Sequence, residues 1–158
     1  MEPAPENSVP QSPPPKESAI LFACTMNAVR SPMAAAMLRH LTRGLYIESA
    51  GVKAGELDPL AVETMGEIGL EIGKHRPRRF EDLEDGSFDL VITLSPEAQH
   101  KAVEMTRMAA TRVEYWPTMD PTAVEGSREQ RLDAYRAVRD QLMQRLKQRF
   151  PTSIAADT

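Results

Sequence analysis

Short apolar runs alternate with helix-start signals along this chain, and that alternation limits its fold more than any other feature. Ala19-Ile20-Leu21-Phe22-Ala23 is continuously apolar, as a central parallel strand covered on both faces requires. Ser31-Pro32 then reads as an N-cap followed by proline at the first helical position. Ala34, Met37, Leu38 and Leu41 recur at helical spacing on one apolar face, and Gly44 closes the helix. The pattern repeats. Residues 45–49 predict a second strand, and Asp58-Pro59 opens a helix carrying Ala61, Val62, Met65 and Ile68. Residues 88–94 predict a third strand, followed by Ser95-Pro96 as another cap and proline, and residues 111–116 predict a fourth. A final helix spans about 127–150, with Tyr135, Val138, Leu142 and Leu146 along one face. Strands alternating with helices imply βαβ units: an α/β fold with a mostly parallel sheet and helices on both faces.

At 158 residues the chain is sized for one domain, and 41% hydrophobic with 27% charged residues is the profile of a globular protein with a real core. Residues 1–17 hold six of the 13 prolines and almost no large apolar side chain, so they predict a disordered or polyproline-like tail. The ordered domain is expected over 18–150, with a flexible C-terminus at 151–158. No apolar run approaches the roughly 18 residues that span a bilayer, and no basic segment followed by an apolar stretch marks a secretory signal. A net charge of -4 argues against a nucleic-acid partner. One cysteine, Cys24, and three scattered histidines give neither an internal disulfide nor a zinc site of the usual spacing. No metal or other cofactor is expected, and a reducing cytoplasm is the expected compartment. Nothing in the sequence specifies an oligomeric state.

Cys24 stands at the predicted carboxyl end of the first strand, and Arg30-Ser31 at the start of the first helix. Ligands of open α/β sheets bind at that end of the strands. The five residues between, Thr25, Met26, Asn27, Ala28 and Val29, can curl into a ring whose backbone N–H groups point inward at a tetrahedral oxyanion. The helix N-terminus adds its positive end. The Arg30 guanidinium can close the ring with two parallel hydrogen bonds. The same donors favour a Cys24 thiolate, and the Ser31 hydroxyl is placed to donate to that sulfur when it must leave. The plainer alternative is a buried inert thiol beside a surface arginine and an ordinary cap; the coincidence of all three at one strand end speaks against it.

The segment Phe22-Ala-Cys24-Thr-Met-Asn27-Ala-Val-Arg30-Ser31-Pro32-Met33-Ala34 resembles the active-site segment of the low-molecular-weight protein tyrosine phosphatase superfamily, which also includes arsenate reductases of the same fold. The resemblance continues through Ile47-Glu-Ser49-Ala-Gly51, through Gly69-Leu-Glu-Ile-Gly-Lys-His75-Arg and to Asp120-Pro121. It implies a four-stranded parallel sheet of flavodoxin-like kind. It also implies Cys24 as nucleophile, residues 25–30 as the oxyanion cradle, and Asp120 as general acid. Asn27, Ser31, Ser49 and His75 match positions that hold the phosphatase loop in shape. The substrate implied is a phosphorylated protein or small phosphate ester, or arsenate.

Several positions depart from that pattern. Met26 occupies a place usually held by glycine, and Val29 replaces a second loop cysteine. Thr122 and Ala123 stand where eukaryotic-type phosphatases carry tyrosines that flank an aryl ring. Ser95 takes the place of a cysteine needed by the thioredoxin-coupled reductases, which excludes their relay. The first reading is therefore a phosphomonoester hydrolase acting through a phosphocysteine. The alternative is an arsenate reductase served by a small thiol such as glutathione or mycothiol, and a third is a catalytically weak oxyanion- or phosphoprotein-binding module. The basic run Lys74-His75-Arg76-Pro77-Arg78-Arg79 reads as a solvated loop or a patch for acidic partners. The seven basic and three acidic residues of 128–149 read as a solvated helix face with i,i+4 pairs.

Overall fold

The computed structural model describes residues 17–83, 87–107 and 109–151. Strands β1 (Ala19–Cys24), β2 (Tyr46–Gly51), β3 (Leu90–Thr93) and β4 (Arg112–Tyr115) form one sheet in the order β2-β1-β3-β4. All three pairings are parallel. The helices are α1 (Arg30–Leu41), α2 (Pro59–Gly66), α3 (Pro96–Met105) and α4 (Arg128–Arg149), with 3-10 turns at Phe80–Asp82 and Pro121–Ala123.

The period-two geometry of β1 explains its unbroken apolar run. Ile20, Phe22 and Cys24 face the core shared with α1 and α4, while Leu21 and Ala23 face the smaller core under α3. On α4, Tyr135, Val138, Leu142 and Leu146 form the buried stripe expected for that helix, and Leu132 extends it by one turn. Burying each large apolar side chain of this kind is worth about 1.5–3 kcal/mol, so the stripe fixes α4 across α1 and α2. At the amino end of the sheet, Asp89 accepts from Ser18 N at 2.7 Å and Ala19 N at 2.9 Å. Glu17 pairs there with Arg112, and with Arg149 at 3.3 Å. β1 is thus anchored where it begins and delivers Cys24 where it ends.

Asp58 and Ser95 cap their helices as their sequence contexts predict, and Ser127, expected as the start of the final helix, is its N-cap. Four expectations need correction. Helix α1 begins at Arg30 rather than after a Ser31 cap, with Val29 as its N-cap and no side chain bonded there. The Ser31 hydroxyl is engaged elsewhere, and Pro32 still falls in the first turn, where a missing N–H costs nothing. Helix α2 stops at Gly66, so Ile68 lies beyond it and is 39% exposed. On α4, Arg139 is buried against the Thr64 carbonyl and Glu67, each at 2.8 Å, and Arg136 also reaches Glu67 at 2.7 Å. Those charges join α4 to α2 rather than decorating a solvated face. Of the expected tail, Glu17 is held by arginines; residues 1–16 and 152–158 lie outside the described residues.

Candidate active site

The loop between β1 and α1 is laced along the segment that leaves β2. Val52, Lys53, Gly55 and Asp58 donate their N–H groups to the carbonyls of Cys24, Thr25, Met26 and Ala28, at 3.1, 2.8, 2.9 and 3.3 Å. With those carbonyls tied to the segment after β2, the ring is left with the N–H groups of residues 25–30. Among the described residues none of them is given to a protein acceptor. That is the ring of donors an oxyanion requires. Asn27 makes the bend possible: its φ of 55° lies in the left-handed region, and asparagine tolerates this better than most residues.

Asn27 is also the hub of a buried polar network. Its Nδ2 donates to Ser31 Oγ at 2.8 Å and to Ser49 Oγ at 3.0 Å. Its Oδ1 accepts from Arg78 N at 2.9 Å and faces His75 Nε2 at 3.0 Å. Arg78 N–H can only donate, which fixes the amide orientation and requires His75 to carry its proton on Nε2. Burial pushes the His75 imidazole below its ordinary range, so the ring is neutral at pH 7. Ser31 Oγ therefore accepts from Asn27, and its own proton has two acceptors in reach, Cys24 Sγ at 2.9 Å and the Ala50 carbonyl at 3.4 Å. Cys24 is 2% exposed.

The Arg30 guanidinium is buried beside the ring, where Nη1 donates to the Thr118 carbonyl at 2.9 Å. Thr118 is held in turn by its N–H on the Leu94 carbonyl at 3.1 Å, which brings the segment after β4 over the end of β3. Asp120 stands on that segment with Oδ2 3.9 Å from Arg30 Nη2. Its Oδ1 accepts from Thr122 N at 3.0 Å and Thr122 Oγ1 at 2.7 Å, so one oxygen is anchored while the other remains exposed. A cleft of about 360 Å³ contains Cys24, Arg30 and Asp120 together. Met26, Ala28, Val29, Leu57 and Pro59 supply its apolar walls and Glu56 and Asp58 two further carboxylates; among the described residues no aromatic ring lines it.

The sequence-selected residues thus converge, with differences of role. Met26 is 41% exposed and packs over Gly55, shaping the rim without deforming the ring. The Thr25 side chain turns away from the cleft to Ser95 Oγ at 2.9 Å and Glu97 Oε1 at 3.1 Å, leaving its N–H as the group it offers to the ring. The basic run is not simply solvated: Arg78 pairs with Glu48, Arg79 with Asp82 at 3.3 Å, and His75 belongs to the network. Sequence reasoning gave Gly51 only as the end of a motif and missed that its bare Cα lies against the ring. It also missed the Arg78 amide and the Thr118 carbonyl, because backbone groups leave no trace in residue patterns. Among the described residues, no group of three or more His, Cys, Asp or Glu could hold a metal ion. None of the described helices is long and apolar enough to cross a membrane.

The family model for low molecular weight phosphotyrosine protein phosphatases matches residues 19–158. An arsenate reductase of Bacillus licheniformis is 36% identical over 129 residues, covering 81% of this chain and 91% of that protein. A probable low molecular weight protein-tyrosine-phosphatase of Ralstonia solanacearum is 34% identical over 95 residues, 58% of this chain and 65% of its own length. Among solved structures, the arginine phosphatase YwlE from Geobacillus stearothermophilus aligns with a TM-score of 0.68 at 27% identity. That alignment covers 82% of this chain and 88% of the YwlE chain.

Proposed function

Because the chain belongs to the low molecular weight phosphotyrosine protein phosphatase family, we propose that it is a phosphomonoester hydrolase working through a phosphocysteine. The observation that carries this reading is the ring itself: a buried cysteine at the base of inward N–H donors, sharing one cleft with Arg30 and Asp120. Cys24 Sγ attacks phosphorus while the ring N–H groups and Arg30 hold the equatorial oxygens. Asp120, entering protonated, gives its proton to the departing ester oxygen through Oδ2. Water then attacks the phosphocysteine, Asp120 takes a proton from it, and the Ser31 hydroxyl stabilises the leaving thiolate. No electron changes hands, so the cycle closes with one thiol. The substrate is a phosphorylated protein or small phosphate ester whose leaving group meets methionine, leucine and proline rather than aromatic walls. The reducing cytoplasm is the compartment in which such a thiol stays active.

One observation favours a second reading, arsenate reduction: the 36% identity to an arsenate reductase. Reduction takes two electrons from two thiols, and this chain has only Cys24. The second must then come from outside, from a glutathione- or mycothiol-type thiol. Parallel assays separate the readings. Aryl phosphate turnover is expected with any mild reductant, and thioredoxin with its reductase should support no arsenate turnover. Efficient arsenate reduction with glutathione or mycothiol and a glutaredoxin-type partner, beside negligible phosphate ester turnover, would reverse the choice. Cys24→Ser should abolish hydrolysis yet retain phosphate binding, seen as stabilisation of about 2.7 kcal/mol at 100 times the dissociation constant. A wild-type protein that binds phosphate but turns over neither substrate would be a binding module.

A further inference from the structure

The segment 75–79 runs alongside the end of β2. Gly51 N–H donates to the Arg78 carbonyl at 2.8 Å, and Gly51 and Arg79 form a parallel bridge. From there the segment presents both donors that face Asn27 Oδ1, the Arg78 amide and His75 Nε2. The Arg78 side chain fastens it by folding back over β2. Its Nε donates to the Ser49 carbonyl at 3.2 Å, and its Nη2 pairs with Glu48 Oε1. Glu48 is faced on its other side by Arg39 Nη2 at 3.7 Å, and Arg39 is itself fixed on the Ile47 carbonyl at 2.6 Å.

We propose that the Glu48–Arg78 clasp is a positioning device for the nucleophile: it holds the Asn27 amide in the one orientation that leaves the Ser31 proton for Cys24. The inference rests on Cys24 being the nucleophile of the reading above. Ser31 has a single hydroxyl proton. With Asn27 Nδ2 toward it, the hydroxyl oxygen accepts from the amide, and its proton goes to sulfur at 2.9 Å in preference to the more distant Ala50 carbonyl at 3.4 Å. With the amide turned over, Asn27 Oδ1 would compete for that proton and the sulfur would lose its donor. Two groups on the segment 75–79 set the amide's orientation. The His75 donor depends on its tautomer, whereas the Arg78 amide does not. Glu48 and Arg78 are positioning residues, touching neither substrate nor sulfur.

Charge and position give opposite signs for one variant. Glu48→Gln leaves the Arg78 charge unopposed, and through space alone this would speed reaction of the Cys24 thiolate. If the clasp positions the amide, the same change slows it. The experiment uses the full chain and compares wild type, Glu48→Gln, Arg78→Lys and Arg78→Ala. It measures alkylation of Cys24 by iodoacetamide at pH 7, kcat with an aryl phosphate, and thermal stability. Slower alkylation and kcat in Glu48→Gln are expected, by roughly three- to tenfold, the scale of one lost hydrogen bond. Arg78→Lys should follow in the same direction, since lysine keeps the charge but cannot reach Ser49 and Glu48 together. If Arg78→Ala does not fold, Glu48→Gln alone decides. Unchanged or faster alkylation in Glu48→Gln, with only the melting temperature lowered, overturns the proposal. Alkylation needs no turnover, so a wild-type protein without phosphatase activity would refute the hydrolase reading while the clasp was still tested.

Discussion

Replacing Gly51 by alanine tests how closely β2 supports the ring between β1 and α1. The added methyl would stand 2.5 Å from the Lys53 carbonyl oxygen, 2.8 Å from Asn27 N and 2.9 Å from the Thr25 carbonyl oxygen. All three are backbone atoms, so no side chain can swing aside. Ordinary contact begins at 3.4 Å, which means that Lys53 O must retreat by about 0.9 Å and Asn27 N by about 0.6 Å. Lys53 N–H holds the Thr25 carbonyl at 2.8 Å, so the ring and its lacing move together. Overpacking of this kind costs about 1–3 kcal/mol. At roughly 2–4 °C per kcal/mol for a chain of this size, Tm should fall by roughly 2–12 °C. A misplacement of about 1 Å at a reacting centre costs about a hundredfold, and the smaller shift at Asn27 puts the loss in kcat at roughly tenfold. Thermal melts and aryl phosphate kinetics on Gly51→Ala measure both quantities. Gly66→Ala is the control, since a methyl there meets nothing within 4 Å and should be neutral or slightly stabilising. Wild-type Tm and kcat in Gly51→Ala would refute the reasoning.

Asp120→Asn should slow aryl phosphate hydrolysis by roughly 10²- to 10⁴-fold, with a smaller loss for leaving groups that depart unprotonated; a small, uniform effect across leaving groups would assign the proton to another carboxylate. Tyr135→Phe removes the hydroxyl that donates to Asp58 Oδ2 at 2.5 Å. A charge-assisted bond of this kind is worth about 1.5–3 kcal/mol, and denaturant unfolding should show a loss near the lower figure because Asp58 is only half-buried. Asp58 N–H also holds the Ala28 carbonyl at 3.3 Å, so kcat should fall with stability. Arg136 and Arg139 hold the Glu67 carboxyl down to about 2, from an ordinary 4.5. Its folded value is depressed, so its stabilisation is complete above about pH 4.5 and is lost as pH falls towards 2. Tm measured across that window should fall less steeply in Glu67→Gln than in wild type.

Elements set by local pattern were legible in the sequence. β1 could be read because Ala19 to Ala23 are apolar toward both faces, and α4 because its stripe keeps helical spacing over about four turns. Asp58-Pro59 and Ser95-Pro96 cap and start helices through contacts two or three residues away, which sequence order alone supplies. The cap reading of Ser31 failed for the converse reason, while the reading that set its hydroxyl beside Cys24 agrees with their 2.9 Å separation. Serine before proline caps a helix by default, and only neighbours brought in by folding, Cys24 and Asn27, divert its hydroxyl. The ring was legible as a spacing between Cys24 and Arg30. Its tightness was not, since the close approach at Gly51 depends on the register of β1 against β2. Asp120 came from family resemblance, because no periodicity links a loop after β4 to the end of β1. Arg78 looked like one more charge in a basic run, and its side chain's course over β2 is fixed by partners some thirty residues earlier.

The grip of Arg112 and Arg149 on Glu17 has a practical corollary for assay geometry. It gathers the start of β1 and the end of α4 at the amino edge of the sheet, while Cys24 opens from the carboxyl edge. A handle joined before Glu17 or after Phe150 therefore leaves the fold on the side away from the cleft. Captured on a sensor surface by either handle, the enzyme turns its mouth to the bulk solution. Phosphorylated substrates then reach the cleft without crossing the support, and rates measured on the immobilised protein should match those of the free enzyme.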